Sequence, residues 1–371
     1  AAADDVSIVA NADIYYDNGK HQVSENNPYR GYLSTDENIA HFGLGKTGKL
    51  DSVVIRWPNG KKQVLKNVKA DQVLTANVVN ANESYSWEQP KVAPNALFTE
   101  VDSVKNIRYH HDEGDFIDFN VQKLIPHKLS EYGPALAVAD VDGNGLDDII
   151  TAGNSALHSQ LFLQQADGKF IRRDLFPDQK GKFTETKDEG MLLFDANGDG
   201  KPDLYIASGG YKSAPGSPNY QDRLYINDGK GNFTLAANAL PTDHTSKLCV
   251  RAVDYNKDGK LDLFVSGRVD PWNYPRPVSS CILRNDSQNG AVKFTNVTSE
   301  VAPALTNIGM VCDGLFTDFD GDGWPDLVLA NRYDGGSAAQ EESYQVDVYV
   351  YLGGPDGYSV EPARVTLKPS E

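Results

Sequence analysis

The stretch TDFDGDGWPD, residues 317–326, places four carboxylates (Asp318, Asp320, Asp322 and Asp326) in ten residues, breaks them with two glycines and runs straight into the apolar LVLA. Read alone, it is an acidic turn. Three relatives precede it: ALAVADVDGNGLDDII from Ala135, MLLFDANGDGKPDLYIA from Met191 and VRAVDYNKDGKLDLFV from Val250, against LFTDFDGDGWPDLVLA from Leu315. Their first aspartates, Asp140, Asp195, Asp254 and Asp318, are separated by 55, 59 and 64 residues. Self-similarity at such a period marks a repeat architecture in which each copy is one supersecondary unit.

Downstream of each loop lie two more β-branched or aromatic runs: QLFLQQ and KFIRRD, RLYIND and NFTLAA, CILRND and VKFTNVT, VYVYLGG and GYSVEP. Bounded by DG, GG and NG turns, they read as hairpins. Each unit is therefore four antiparallel strands, A to D. The predicted fold is all-β: a β-propeller of four-stranded antiparallel blades, at least four of them present, preceded by a small β-rich domain.

Position by position the acidic loops agree. Position 1 is Asp140, Asp195, Asp254 or Asp318; position 3 is Asp142, Asn197, Asn256 or Asp320; position 5 is Asn144, Asp199, Asp258 or Asp322. Position 6 is always glycine, position 9 is always Asp148, Asp203, Asp262 or Asp326, and position 7 offers the carbonyl of Leu146, Lys201, Lys260 or Trp324. Side-chain oxygens at 1, 3 and 5, a glycine at 6 and a carbonyl at 7 form the arrangement that wraps calcium. Hard oxygen ligands without His or Cys favour calcium over zinc or copper. The loops are not EF-hands, because position 12 is Thr151, Ile206, Val265 or Leu329 where that motif needs a bidentate glutamate. An Asp/Gly hairpin turn needing no ion is the plainer alternative; agreement across four copies argues against it. Up to four structural calcium ions are expected, since thirteen site carboxylates held in tight turns otherwise repel one another.

Bulk composition excludes several classes. The chain has 371 residues and a net charge of -17, so nucleic acid and anionic lipid are poor partners. Lys61, Lys62, Lys66 and Lys69 read as a solvated strand face. No apolar run is long enough to span a membrane. The first residues, AAADDVSIVANADIYY, lack the features of a signal peptide, which leaves a processed or partial chain, or a cytosolic one. Cys249, Cys281 and Cys312 fit no metal or redox spacing. Cys249 and Cys312 read as buried free thiols, with a Cys249–Cys281 disulfide as the alternative.

The loops and their flanking strands resemble the FG-GAP/VCBS repeats of integrin-α-like propellers. HFGLGKTGKLDSVVIRWPNGKKQVLKNVKADQVLTANV, residues 41–78, resembles the ASPIC/UnbV domain, with strands expected at VVIRW, KQVLK and VLTANVV. Residues 110–148, 267–286 and 309–330 resemble large cell-surface proteins of Bacteroidota associated with outer-membrane nutrient uptake of the starch-utilisation type. The division predicted is an ASPIC/UnbV-like domain over 1–88, N-terminally incomplete, a linker and opening strand over 89–134, and propeller blades over 135–371, C-terminally incomplete. The resemblance implies a seven-bladed ring in the full protein. LFTEV, residues 97–101, is expected as an outer strand closing that ring.

In an up-and-down blade the A–B turns occupy one rim and the B–C loops the other. The B–C loops, residues 209–223, 267–280 and 331–345, carry Tyr211, Tyr220, Arg268, Trp272, Tyr274, Arg276, Arg332, Tyr333 and Tyr344. Tyr, Trp and Arg on long loops mark a partner surface; aromatics that simply pack those loops down are the plainer reading. His110 and His111, beside Asp112 and Asp115, read as linker or inter-blade packing rather than a metal site. No catalytic residue is assigned. The expectation is a non-enzymatic, calcium-stabilised binding or scaffolding subunit, on the extracellular face of the outer membrane or secreted. Its partners are proteins of an outer-membrane transporter complex; an adhesin-like binder of glycan or matrix is the alternative, and a propeller enzyme the third.

Overall fold

A computed structural model describes residues 10–27, 29–30, 34–35, 37, 39–86, 97–111, 114–153, 159–177, 186–331 and 346–367. The chain divides into two compact units, Ala1–Thr99 and Glu100–Glu371.

In the first unit, β1 (Ala10–Tyr16) and β2 (Lys20–Asn26) form a hairpin, and β3 (Tyr29–Arg30) and β4 (Ser34–Thr35) a short separate ladder. β5 (Lys49–Arg56), β6 (Lys61–Lys69) and β7 (Glu83–Ser84) complete a five-stranded sheet in the order β2-β1-β5-β6-β7. Alternate residues Ile14, Tyr16, Val53 and Ile55, with Leu50 and Trp57, bury one face, as period-two patterning requires. Lys61, Lys66 and Lys69 are exposed on β6, and Lys62 pairs with Glu83 at 3.0 Å. The strand expected at VLTANVV does not form. The chain turns at Asp71, where φ is +56°, leaves Val73 and Val79 exposed, and yields β6's edge to β7.

The second unit holds four four-stranded blades. The first is β8 (Leu136–Ala139), β9 (Asp148–Thr151), β10 (Gln160–Gln164) and β11 (Phe170–Asp174); the second is β12 (Lys187–Phe194), β13 (Asp203–Gly209), β14 (Arg223–Asn227) and β15 (Phe233–Leu235). The third is β16 (Ser246–Val253), β17 (Asp262–Val269), β18 (Cys281–Asn285) and β19 (Phe294–Asn296); the fourth is β20 (Val311–Thr317), β21 (Asp326–Asn331), β22 (Val346–Tyr351) and β23 (Ala363–Leu367). All pairings within a blade are antiparallel, so the fold is the all-β propeller architecture expected. The outer strand of the fourth blade lies beyond GYSVEP. Tyr358 is drawn into the core between blades three and four, its N–H bonding the Val301 carbonyl, and the strand begins at Ala363.

Blades stack through apolar layers. Leu204 and Ile206 of β13 join Ile150 and Leu161 of blade one, whereas the intervening Tyr205 and Ala207 join Val250 and Leu263 of blade three. A strand covered on both faces reads as a continuous apolar run, which is why DLYIA and DLFV show little alternation. A parallel contact between Gly209 and Lys247 joins blades two and three. A Cβ on Gly209 would fall 2.1 Å from the Lys247 carbonyl oxygen.

Two expectations for residues 89–134 fail. LFTEV is no strand: Phe98 is 89% exposed and Val101 leads into α1 (Asp102–Lys105). Residues 116–134 are not a spacer either. They contain α2 (Asp118–Val121) and bury Ile125 and Leu129 against Tyr211, Met310 and Val269, the last residue of β17. A third one-turn helix, α3 (Thr298–Val301), follows β19. All three cysteines are free; Cys249 and Cys281 are buried and Cys312 half-buried, so the disulfide alternative falls. Burial pushes the Cys249 thiol up to about 11 and the Cys281 thiol higher still.

Candidate metal centres

Each A–B loop is tied by the same local hydrogen bonds. The N–H of position 6 donates to the position-1 carboxylate: Gly145 to Asp140 at 2.8 Å, Gly200 to Asp195 at 2.8 Å, Gly259 to Asp254 at 2.9 Å and Gly323 to Asp318 at 3.0 Å. These glycines sit at φ between +79° and +86°, a region open to glycine at little cost. The N–H of position 5 donates to position 3, and that of position 7 to position 5, in every copy (Asn144 to Asp142 at 3.2 Å and Trp324 to Asp322 at 2.8 Å, for example). The loop thus curls with its side-chain oxygens on the inside.

Position 9 is different: Asp148, Asp203, Asp262 and Asp326 are fully buried at the mouth of strand B. Oδ1 of each accepts from the backbone of strand C or its end: Gln164 at 2.7 Å, Asn227 at 2.9 Å, Asn285 at 2.7 Å and Gly353 at 2.7 Å. Oδ2 of Asp148, Asp203 and Asp326 accepts from the N–H of position 2 in its own loop. Burial raises the carboxyl of Asp148, that of Asp203 to about 6 and that of Asp262 to about 7, with the strand C N–H groups opposing the rise. Removing a carboxylate from water is costly unless a positive charge shares the site.

The donor set fits a hard divalent cation. Asp140, Asp142 and Asp148 bring ligand oxygens within 4.8 Å of one another, as do Asp318, Asp320 and Asp326. In the second and third loops asparagine holds position 3, so positions 1, 3 and 9 offer Asp195, Asn197 and Asp203, and Asp254, Asn256 and Asp262, and the carboxylates alone form no such cluster there. Oδ2 of Asp262 is buried and faces the Tyr255 N–H, its position-2 partner, outside good hydrogen-bond geometry, which leaves an acceptor a cation would satisfy. Leu146, Lys201, Lys260 and Trp324 hold position 7, as the spacing requires. A bound cation would neutralise the ring of carboxylates and clamp strand A to strand B.

On the opposite rim the structure moves several expected partner residues inside. Tyr211 and Tyr220 are fully buried, Tyr211 donating to Gln122 Oε1 and Tyr220 to the Ser213 carbonyl at 2.6 Å. Arg268 is buried too; its guanidinium lies over the Tyr132 ring and donates to the Tyr132 hydroxyl at 2.8 Å. The Tyr274 N–H donates to Gln122 Oε1 at 2.9 Å. Tyr211 and Arg268 serve the seam between residues 116–134 and the B–C loops, Tyr220 ties down its own loop, and Tyr274 is half-buried against the same seam. Trp272, 37% exposed, and Arg276, which pairs with Asp270 at 3.2 Å, remain outward. Arg332, Tyr333 and Tyr344 lie outside the described residues. His111 bonds the Tyr109 hydroxyl, and Asp115, exposed, pairs with Lys128.

Sequence reasoning missed the residues that fix this rim. Asp118, fully buried, accepts from the N–H groups of Leu129 and Ser130 and from the Ser130 hydroxyl at 2.6 to 2.9 Å. Lys187 donates to the Ser130 carbonyl at 2.7 Å. It also missed Asn227 and Asn285, whose signal was present: the dipeptide ND closes strand C in both the second and third copies.

Blades of four antiparallel strands with an acidic, glycine-curled loop between A and B define a β-propeller of acidic-loop repeats. Residues 7–83 match the family ASPIC and UnbV, and residues 140–206 and 195–265 match the FG-GAP-like repeat. The chain carries an ASPIC/UnbV domain and FG-GAP-like repeats, as the motifs indicated. No curated protein matches it. FG-GAP repeats commonly bind calcium and often occur in extracellular or surface-associated proteins. No helix among the described residues is long and apolar enough to cross a membrane.

Proposed function

We propose that the chain is a non-enzymatic, calcium-stabilised binding or scaffolding subunit at the cell surface, accessory to an outer-membrane uptake or assembly complex. The observation that carries this reading is the fourfold repetition of one loop geometry, with the position-9 carboxylate buried between strands B and C. A cation held there reports on strand alignment, not on a substrate. Buried ionisable groups elsewhere are likewise consumed in architecture: Arg223 pairs with Asp188, Asp118 caps the turn at Leu129, and Lys187 holds Ser130.

The partner surface moves accordingly. Ile117, Phe119, Val121 and Leu124 are exposed on the segment that covers the B–C rim, Leu124 at 95%, and Trp272 and Arg276 lie on the same rim. Exposed apolar side chains with Trp and Arg are the composition of a protein-binding patch. A glycan-binding adhesin is the second reading, favoured by the outward Trp272 ring beside the Asp270–Arg276 pair.

Co-purification in mild detergent with mass spectrometry separates the two. A stable complex with an outer-membrane barrel supports the first; a solitary protein with measurable affinity for a polysaccharide supports the second. For the metal, thermal melting with and without chelator is decisive, and an unchanged midpoint removes the structural role.

A further inference from the structure

Asn227 and Asn285 occupy the same place in consecutive blades, at the end of strand C, and both are buried. Each side-chain amide has two N–H donors, and each donor goes to a different metal loop. Asn227 Nδ2 donates to the Val141 carbonyl, position 2 of the first loop, at 2.9 Å, and to the Pro202 carbonyl, position 8 of the second, at 3.1 Å. Asn285 Nδ2 donates to the Ala196 carbonyl, position 2 of the second loop, and to the Leu261 carbonyl, position 8 of the third, both at 3.1 Å. Their Oδ1 atoms accept from Gly229 and Ser287, so neither amide has freedom to turn.

These bonds continue into the ligands. The position-2 residue whose carbonyl meets Asn227, Val141, donates its own N–H to Asp148. The Asn227 N–H in turn donates to Asp203 Oδ1, whose Oδ2 accepts from Ala196. The Ala196 carbonyl meets Asn285, and the Asn285 N–H donates to Asp262. One unbroken line of hydrogen bonds therefore runs Asp148–Val141–Asn227–Asp203–Ala196–Asn285–Asp262, through the buried ligand of three successive loops. It stops there. In the fourth blade the matching position is Gly353, which has an N–H for Asp326 but no side chain to reach the third loop. Loops three and four meet instead through the Lys257 ammonium stacked 3.9 Å from the centre of the Trp324 ring.

We infer that Asn227 and Asn285 are positioning residues that make calcium loading of the first three loops interdependent, while the fourth loads independently. This rests on the calcium reading of the loops. A cation in one loop fixes the position-2 residue, with both its flanking peptides, between its ligands at positions 1 and 3. That fixes the asparagine amide, and with it the strand C N–H aimed at the next loop's position-9 carboxylate. Coupling of this kind is reciprocal: filling either neighbour tightens the other by the same factor.

The test is calorimetric titration of the full chain with calcium. The native chain is expected to show cooperative filling of three sites and a separate fourth. Asp140→Ala, at the half-buried first position of the first loop, weakens the remaining cooperative sites by about fivefold or more, the lower range of measured couplings. Asp318→Ala removes the same charge from the fourth loop and leaves the other three unchanged, which controls for the general field. In an Asn227→Ala background, Asp140→Ala no longer affects the second and third loops. The two aspartate variants alter only the A–B loops, so they decide the matter even if Asn227→Ala folds poorly. Four independent sites, or equal effects of Asp140→Ala and Asp318→Ala, overturn the coupling and leave the metal reading standing. A chain that takes up no calcium overturns both.

Discussion

Lys247 offers a sharp quantitative test of how the B–C rim is held. It lies in β16, is 2% exposed, and sends its ammonium to the carbonyls of Tyr220, Asp243 and Thr245 at 3.0, 2.9 and 2.8 Å. The carboxylates of Asp222 and Asp243 stand 3.6 and 3.7 Å away. Asp222, itself buried, also accepts from the Tyr205 hydroxyl at 2.6 Å and the Ser208 N–H at 2.8 Å. Burial pushes the Asp222 carboxyl up to about 6 even though Lys247 pulls it down. Lys247→Met keeps the aliphatic body, strands that carboxylate and orphans three carbonyls. Removing one partner of a buried ion pair costs about 3–5 kcal/mol, so about 4 kcal/mol is expected at pH 8. For a unit of this size that is a fall in midpoint of about 8 °C.

The pH dependence fixes the cause. A carboxyl whose folded value is raised contributes stability that is fully present below the ordinary carboxylate range and is lost as pH rises through about 6. Without Lys247 the folded value climbs further, and the loss extends to more alkaline pH. At pH 5.5 most native molecules already carry the proton, so the variant strands little charge and its deficit shrinks by about 1.4 kcal/mol or more, one pH unit of proton linkage. Urea unfolding in saturating calcium at pH 8 and 5.5, native against variant at each pH, measures this. Adding Asp222→Asn to the variant restores part of the loss at pH 8. A cost below about 1 kcal/mol at pH 8, or one identical at both pH values, would refute the reasoning, because a desolvated carboxylate is then not what Lys247 offsets.

Three further outcomes are expected. Gly353→Ala places a Cβ 2.3 Å from the Pro325 carbonyl oxygen in the fourth metal loop, whereas Gly145→Ala meets nothing within 4 Å and bears only its φ of +82°; the first costs about 3 kcal/mol and the second about 1 kcal/mol, measured by urea unfolding. Thiol labelling of the native chain modifies Cys312 at most, because Cys249 and Cys281 are buried and burial raises both thiols; all three react in denaturant. Leu124→Ser changes the melting midpoint by less than about 1 °C, since its side chain is outside, yet weakens capture of the partner; Tyr211→Phe lowers the midpoint, because it removes the bond to Gln122.

The metal loops were legible because their bonds are local. Gly145 reaches back five residues to Asp140, and Leu146 two to Asn144, so the pattern that makes the turn is spelled in consecutive letters. The B–C rim was not, because its bonds are long-range: the Tyr274 N–H meets Gln122 across 152 residues, and Arg268 meets Tyr132 across 136. A Tyr or Arg on a long loop looks the same in sequence whether it faces solvent or a strap from elsewhere in the chain. VLTANVV and GYSVEP failed for a related reason. Alternation marks a segment as able to pair, but the free edge beside it decides whether it does, and in each case another segment took that edge.

The two rims solve one physical problem in different ways. Ordering a loop costs about 1–2 kcal/mol of backbone entropy per residue, and something must offset it. On the A–B rim the loops are nine residues long and curl on their own side chains, and a bound cation would complete them. The B–C loop over 209–223 is longer and has no such centre, so the chain supplies one: Tyr220 bonds the Ser213 carbonyl within the loop, Lys247 grips the Tyr220 carbonyl from the next blade, and Gln122 caps Tyr211 from the preceding segment. A partner docking on this rim meets side chains that are already ordered, and preorganisation lowers the entropy lost on association. Disrupting Gln122 should therefore weaken binding without removing any contact, by loosening the loops that present Trp272 and Arg276. Gln122→Ala that releases the rim but leaves partner affinity unchanged would place the binding surface elsewhere on the unit.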